Sequence, residues 1–237
     1  MQEQHIASAF DRDLEALQAN IMKMGGLVEA SILDAAKALV DRDIELAETV
    51  RDSDSAIDAL EDIINEDAAR VIAMRQPMSS DLRIILAVMK VSGALERIGD
   101  YAKNIAKRTT VLAETPPING SDQSLKRMAR EVETMLRDVL DAFIQRDAEL
   151  AADVRERDHS VDQMYNAMFR EFLTHMMEDP RNITACMHLH FIAKNIERMG
   201  DHATNIAEEV IYLVTGEHPD ESRKKGATAP GIDRAGT

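Results

Sequence analysis

Internal disulfides are excluded at the outset, because the sequence holds a single cysteine, Cys186. Its apolar neighbours (TACMHLHFIA) mark it as a small core residue rather than a reactive thiol, and a lone thiol suits a reducing compartment. Tryptophan is absent and aromatic residues make up only 3% of the chain, while methionine reaches 14 and Ala, Leu and Ile are abundant. That mixture favours helix over strand. Basic residues are the scarcer charge, 28 against 43 acidic ones, for a formal net charge of −15. Nucleic acid and anionic lipid both require a basic face, so neither is an expected partner; cations and basic protein surfaces are. In the central segments the longest unbroken apolar run is the six residues IILAVM at 84–89. A membrane span needs about 20, so no direct membrane insertion is expected. The opening stretch MQEQHIASAFDRDLEAL lacks a basic segment followed by an apolar one, so no secretion signal is read and a cytoplasmic location is expected.

Proline is as sparse as cysteine is rare, and its six positions (77, 116, 117, 180, 219 and 230) punctuate the chain. Between them, apolar residues recur at three- and four-residue spacing, which is the helical period. TPPINGSD, at 115–122, is the one strong internal linker, with a serine suited to cap the helix that follows. The halves on either side of it correspond. LVDRDIELAETVRDSDSAID (39–58) matches FIQRDAELAADVRERDHSVD (143–162) at a shift of 104, and Pro77 matches Pro180 at 103. ERIGDYAKNIA (96–106) matches ERMGDHATNIA (197–207) at 101.

Each half therefore reads as three helices: one ending near Val40 or Ile144, one from Asp43 or Asp147, and one beginning after Pro77 or Pro180. Asp43 and Asp147 are the expected N-caps, Ser79 and Ser80 cap the third helix, and Asp81 sits well against its dipole. The expected fold is all-α, two tandem three-helix bundles over 1–114 and 122–215, a linker at 115–121, and a disordered tail at 216–237.

The repeated segment carries the chemistry. Residues four apart share a helix face, so Glu96, Asp100 and Asn104 form one oxygen-bearing stripe and Glu197, Asp201 and Asn205 the other. Ile98, Ala102 and Ile105, like Met199, Ala203 and Ile206, face inward. The preceding helix of each half adds a second pair at the same spacing, Asp54 with Asp58 and Asp158 with Asp162. If antiparallel neighbours pack at about 8–10 Å, the pairs face one another across a groove. Four carboxylates that close repel unless positive charge lies between them. Oxygen donors without thiolates suit hard cations such as Mg²⁺, Mn²⁺, Ca²⁺ or iron. One metal site per repeat is the expectation, with Asn104 and Asn205 as additional oxygen ligands. The alternative is ordinary ion pairing, since Arg97, Arg198 and Lys103 stand beside the acids. Gly99 and Gly200, each preceding the Asp, mark either a close backbone approach needed by the site or tight helix packing.

Histidine offers less. His188 and His190 point to different sides of a helix, His202 follows Asp201 but has Tyr101 as its counterpart, and His159 forms an isolated ExxH with Glu156. A di-iron enzyme needs two such motifs and two further Glu. No nucleophile set or Gly-rich phosphate loop is visible, so no enzymatic activity is expected; a carboxylate-bridged metalloenzyme and a metal-free structural adaptor are the rival readings.

MGGLVE (24–29), RQPMSSDLR (75–83), ALERIGDYAKNI (94–105) and NIERMGDH (195–202) together resemble the PhoU family of phosphate-transport regulators. The resemblance spans about residues 5–214. It implies two three-helix bundles with metal held by E(D)xxxD pairs, which fall on Asp54, Asp58, Glu96 and Asp100 and on Asp158, Asp162, Glu197 and Asp201. Magnesium, manganese or iron is the implied ion. Glu61 stands where the second repeat has Tyr165, so the two clusters need not hold equal numbers of ions. The implied role is a negative regulator of phosphate uptake and of the phosphate-starvation response. It would link the ATPase subunit of the Pst phosphate ABC transporter to a PhoR-type sensor kinase, as a homodimer held at the inner face of the membrane through its protein partners.

Overall fold

The computed structural model describes residues 2–78, 80–118 and 120–219, with side chains from residue 9 onward. Six α-helices account for nearly all of them: α1 (Gln2–Asp41), α2 (Ile44–Arg75), α3 (Ser80–Leu112), α4 (Ser121–Gln145), α5 (Ala148–Glu178) and α6 (Ile183–Thr215), with one 3-10 turn at Pro180–Asn182. No helix is long and apolar enough to cross a membrane among the described residues.

The helix boundaries follow from local chemistry. Asp43 accepts the Leu46 amide and Asp147 accepts those of Glu149 and Leu150, so both expected caps close the first turn of their helices. Arg42, Gln76 and Arg146 take left-handed backbone angles (φ 54, 50 and 55) where α1, α2 and α4 end, and Gly216 does so after α6. Ser80 is the first residue of α3 and Asp81 lies in its first turn; Ser79 lies outside the described residues. The linker serine behaves differently from expectation. Gly120, at φ 84, occupies the N-cap of α4 without a side-chain bond. Ser121 is drawn inside as the first helical residue, and its hydroxyl is buried without a partner among the described residues. A left-handed Gly lets the chain enter the helix directly from the turn, which leaves no position for a serine cap. The tail expected to be disordered falls outside the described residues from position 220.

α1, α2 and α3 pack mutually, as do α4, α5 and α6, and the two sets meet through α1 against α4 and α3 against α6. One apolar core runs through both, from Leu17 and Met24 to Phe143, Phe172 and Val210. Contacts fix the α3–α6 direction: Lys90 bonds Glu209, the Tyr101 ring stands 5.7 Å from His202, and Arg108 lies over Phe191. Rising numbers on one helix meet falling numbers on the other, so the pair is antiparallel. Tyr101 and His202 are themselves counterparts in the repeat, which places the pseudo-two-fold axis between them.

Candidate functional site

The carboxylate pairs lie on adjacent antiparallel helices, α2 with α3 and α5 with α6. Asp54 is only 3% exposed and Asp158 only 4%, unusual burial for aspartate side chains. The glycines explain how they fit. A Cβ on Gly200 would stand 3.0 Å from Asp158 Oδ1, and one on Gly99 3.0 Å from Ile57 Cδ1 and 3.7 Å from Asp54 Oδ1. Each glycine therefore serves close approach of the neighbouring helix and its aspartate together. The inward residues Ile98, Ala102, Ile105, Met199, Ala203 and Ile206 are all buried, which turns the acids to the groove.

In the first groove the Lys103 ammonium crosses from α3 to bond Asp54. Arg97 stands 3.3 Å from Glu96 and 3.4 Å from Asp100. Even so, burial and then the Asp100 charge push the Glu96 carboxyl up to about 7. Burial followed by Asp54 raises Asp58, and burial followed by Asp62 raises Glu61. In the second groove Lys194 bonds Glu197 at 2.6 Å. Burial nonetheless holds Glu197 above the ordinary carboxylate range, with the Asp201 and Asp162 charges adding to it. Its second oxygen, Oε2, is buried with no hydrogen-bond partner among the described residues. Tyr165 closes this groove under the Lys194 ammonium, 5.2 Å from its ring centre, and burial raises its phenol.

In both grooves a carboxyl is raised by burial and by its acidic neighbours, a condition that favours taking up a hard cation. The donor set fits such an ion: carboxylate oxygens only, one of them orphaned. In their present rotamers, no three or more His, Cys, Asp or Glu side chains among the described residues close into a metal-holding group. Lysine ammonium groups stand against Asp54 and Glu197 instead. Lys194 was not singled out from the sequence, although its place three residues before Glu197 put it on the same face.

The remaining candidates lie elsewhere. Asn104 is exposed, and Asn205 lines a cavity between α3 and α6 with Lys90, His202 and Glu209. Each four-residue step drifts about 40° around a helix, which carries Asn205 from the line of Glu197 toward the α3–α6 cavity. His202 faces the bundle interface. His188 meets Arg108, and His159 stands 2.9 Å from Gln163. His190 is ringed by Tyr165, Phe169 and Phe191, and burial lowers its basicity. Cys186 is buried in the core.

The PhoU domain family matches the chain twice, over residues 21–109 and 125–210. A phosphate-specific transport system accessory protein PhoU homolog from Rhizobium meliloti is 47% identical over 225 residues, 95% of either chain. Its counterpart from Caulobacter vibrioides is 46% identical over 94% of this chain and 96% of its own. The crystal structure of PhoU from Pseudomonas aeruginosa superposes with a TM-score of 0.85 at 42% identity, covering 88% of this chain and all of that one. The phosphate transport system regulatory protein PhoU from Streptococcus pneumoniae gives 0.83 at 33% identity, over 89% of this chain and 99% of its own. Two matched domains, near-complete coverage and the shared six-helix fold together place the chain in the PhoU family.

Proposed function

We propose that this chain is a regulatory accessory protein of a phosphate-specific transport system, a metal-binding helical adaptor and not an enzyme. It restrains phosphate uptake and the phosphate-starvation response by linking the transporter's ATPase subunit to a PhoR-type sensor kinase. The observation that carries the metal part is the crowding of acid in the two grooves: Glu96 is pushed up to about 7, and Glu197 is raised with its Oε2 buried and unpartnered among the described residues. Asp54, Asp58, Glu96 and Asp100 would hold one centre, and Asp158, Asp162, Glu197 and Asp201 the other. Magnesium, manganese or iron would supply the positive charge that lets α2 close on α3 and α5 on α6 in a fixed register. The names of the relatives, all accessory proteins of phosphate-specific transport, support the transport setting. Membrane proximity follows from that association, through protein contacts.

A second reading has its own observation. Lys103 on Asp54 and Lys194 on Glu197 already place cations in the grooves, so the adaptor is complete without metal. Elemental mass spectrometry of purified protein equilibrated with Mg²⁺, Mn²⁺ or iron separates the two. Two or more ions per chain, lost in Asp100→Asn/Asp201→Asn, support the metal reading; no metal in either protein selects the ion-paired one. The regulatory role is tested by deleting the gene. Alkaline phosphatase should then be made in high phosphate, and phosphatase that stays repressed rules the role out.

A further inference from the structure

The two grooves are written by a repeat, so the places where the repeat breaks are those that the fold alone does not require. Lys194 stands where the first half has Gly93, and Tyr165 stands where it has Glu61. Both exchanges fall on the wall of a groove. We propose that Lys194 is a tethered cation that holds the place of an ion in the second groove. The first groove then fills with metal first, and the second fills only by displacing the Lys194 ammonium, an order that rests on the metal reading above.

Space couples the two exchanges. A Cβ on Gly93 would stand 3.6 Å from Glu61 Oε1, so the glycine gives the Glu61 carboxylate room against α3. From there the charge of Glu61 acts on Glu96, and those of Asp58 and Asp62 act on Glu61 in turn. The second groove uses the same place in the opposite sense. Lys194 sends its ammonium across it, 5.2 Å from the Tyr165 ring centre and 2.6 Å from Glu197 Oε1. The Lys194 side chain is 35% exposed and that of Glu197 only 12%, so the ammonium reaches from the rim to a largely buried carboxylate. Tyrosine suits this wall, because its ring face attracts a cation and its neutral phenol adds no competing carboxylate.

Lys103 does not play this part in the first groove. It follows Gly93 by ten residues, about 15 Å along α3, and bonds Asp54, about 10 Å along α2 from Glu61. From the first half to the second, Glu61 and Asp62 give way to Tyr165 and Asn166, Lys194 is gained, and Lys103 gives way to Thr204. Those exchanges make the second groove less negative by two unit charges. A lysine ammonium and a hard cation make the same demand on a carboxylate, the one with a single charge and the other with two. Divalent metal can therefore displace Lys194 from Glu197, but at a cost that the Glu61 end of the first groove does not impose.

Titration of the full chain with Mn²⁺, the free ion being read from its electron paramagnetic resonance signal, tests this order. Two phases are expected, the tight one lost in Asp100→Asn and the weak one lost in Asp201→Asn. Lys194→Met keeps an unbranched stem against Tyr165 and removes the charge. It should tighten the weak phase about tenfold and leave the tight phase where it is. Lys194→Arg, which keeps a cation, should leave the weak phase weak; tightening there as well would assign the effect to packing and overturn the role of the charge. Two phases of equal affinity, loss of the tight phase in Asp201→Asn instead, or a weak phase unmoved by Lys194→Met also overturns that role and leaves the metal reading standing. No Mn²⁺ uptake by wild type or by Lys194→Met removes the metal reading itself, and Lys194 is then an ordinary ion-pair partner of Glu197.

Discussion

Glu96 is the carboxyl whose surroundings most directly tie stability to pH. Its carboxyl is raised to about 7 by burial and by Asp100, against an ordinary value of 4.5. At Glu96 the folded metal-free protein therefore keeps a proton that the unfolded chain has released, and this group's contribution to stability falls as pH rises from about 4.5 through 7. Glu96→Gln should flatten that slope. Urea unfolding with chelator present, at pH 5.5 and 8, checks it, and an unchanged slope would mean the charge is relieved by motion of the groove. The glycines give a second prediction at this scale. Gly200→Ala brings a methyl against the buried Asp158 and should destabilise by about 1–2 kcal/mol, overpacking outweighing the gain in helix propensity. Gly26→Ala meets nothing within 4 Å and should stabilise by about 1 kcal/mol. Equal effects at the two sites would show that helix propensity alone decides. The acids and both glycines were legible in the sequence because each occurs twice at one spacing. Of the lysines that bond these acids, Lys103 was legible as an ion-pairing candidate beside Asp100, although its partner Asp54 lies on the other helix. Lys194 was harder to read, because its counterpart is Gly93 and repetition gave no signal.

For the helices, short polar caps and apolar periodicity made nearly every boundary legible. Asp43→Ala and Asp147→Ala should each cost about 1 kcal/mol, because each removes the acceptor for first-turn amides of α2 or α5. Chemical denaturation measures this directly; no change at Asp147, which takes two amides, would mean that water replaces the cap fully. Where the reading went astray, at Ser121, the cause was a backbone conformation. Serine beside a Pro pair is a good cap only if the residue before it stays out of the left-handed region, and Gly120 does not. Asn205 strayed for a geometric reason, since a stripe written every four residues curls around its helix. A cavity of about 570 Å³ between Leu14, Met78 and Arg146 was illegible for another reason. It draws on α1, on the α2–α3 connection and on the end of α4, segments far apart in the chain, which pack together only after the bundles dock.

At the level of the whole molecule, the repeat encodes two bundles but gives no direct sign of how they join. Gly25 on α1 faces Leu140 on α4 so closely that a methyl there would collide with it. Met24 and Val139, either side of this contact, are wholly buried. Along α3 and α6, Tyr101 meets His202 across the pseudo-two-fold axis. Each bundle therefore buries part of its apolar surface against its twin, and a half chain would expose those stripes to water at about 25 cal/mol for each Å². The expected consequence is one cooperative unit. Residues 121–219 expressed alone should self-associate in sedimentation, α4 and α6 of one copy covering those of another as α1 and α3 do in the intact chain. The intact chain should unfold in a single denaturant transition seen alike by far-ultraviolet circular dichroism and by exchange of core amides in both halves. A monomeric half chain as stable as the whole would mean that the bundles are independent domains in contact. Coupling between the two grooves would then have no path through the core, and each would bind its ion without regard to the other.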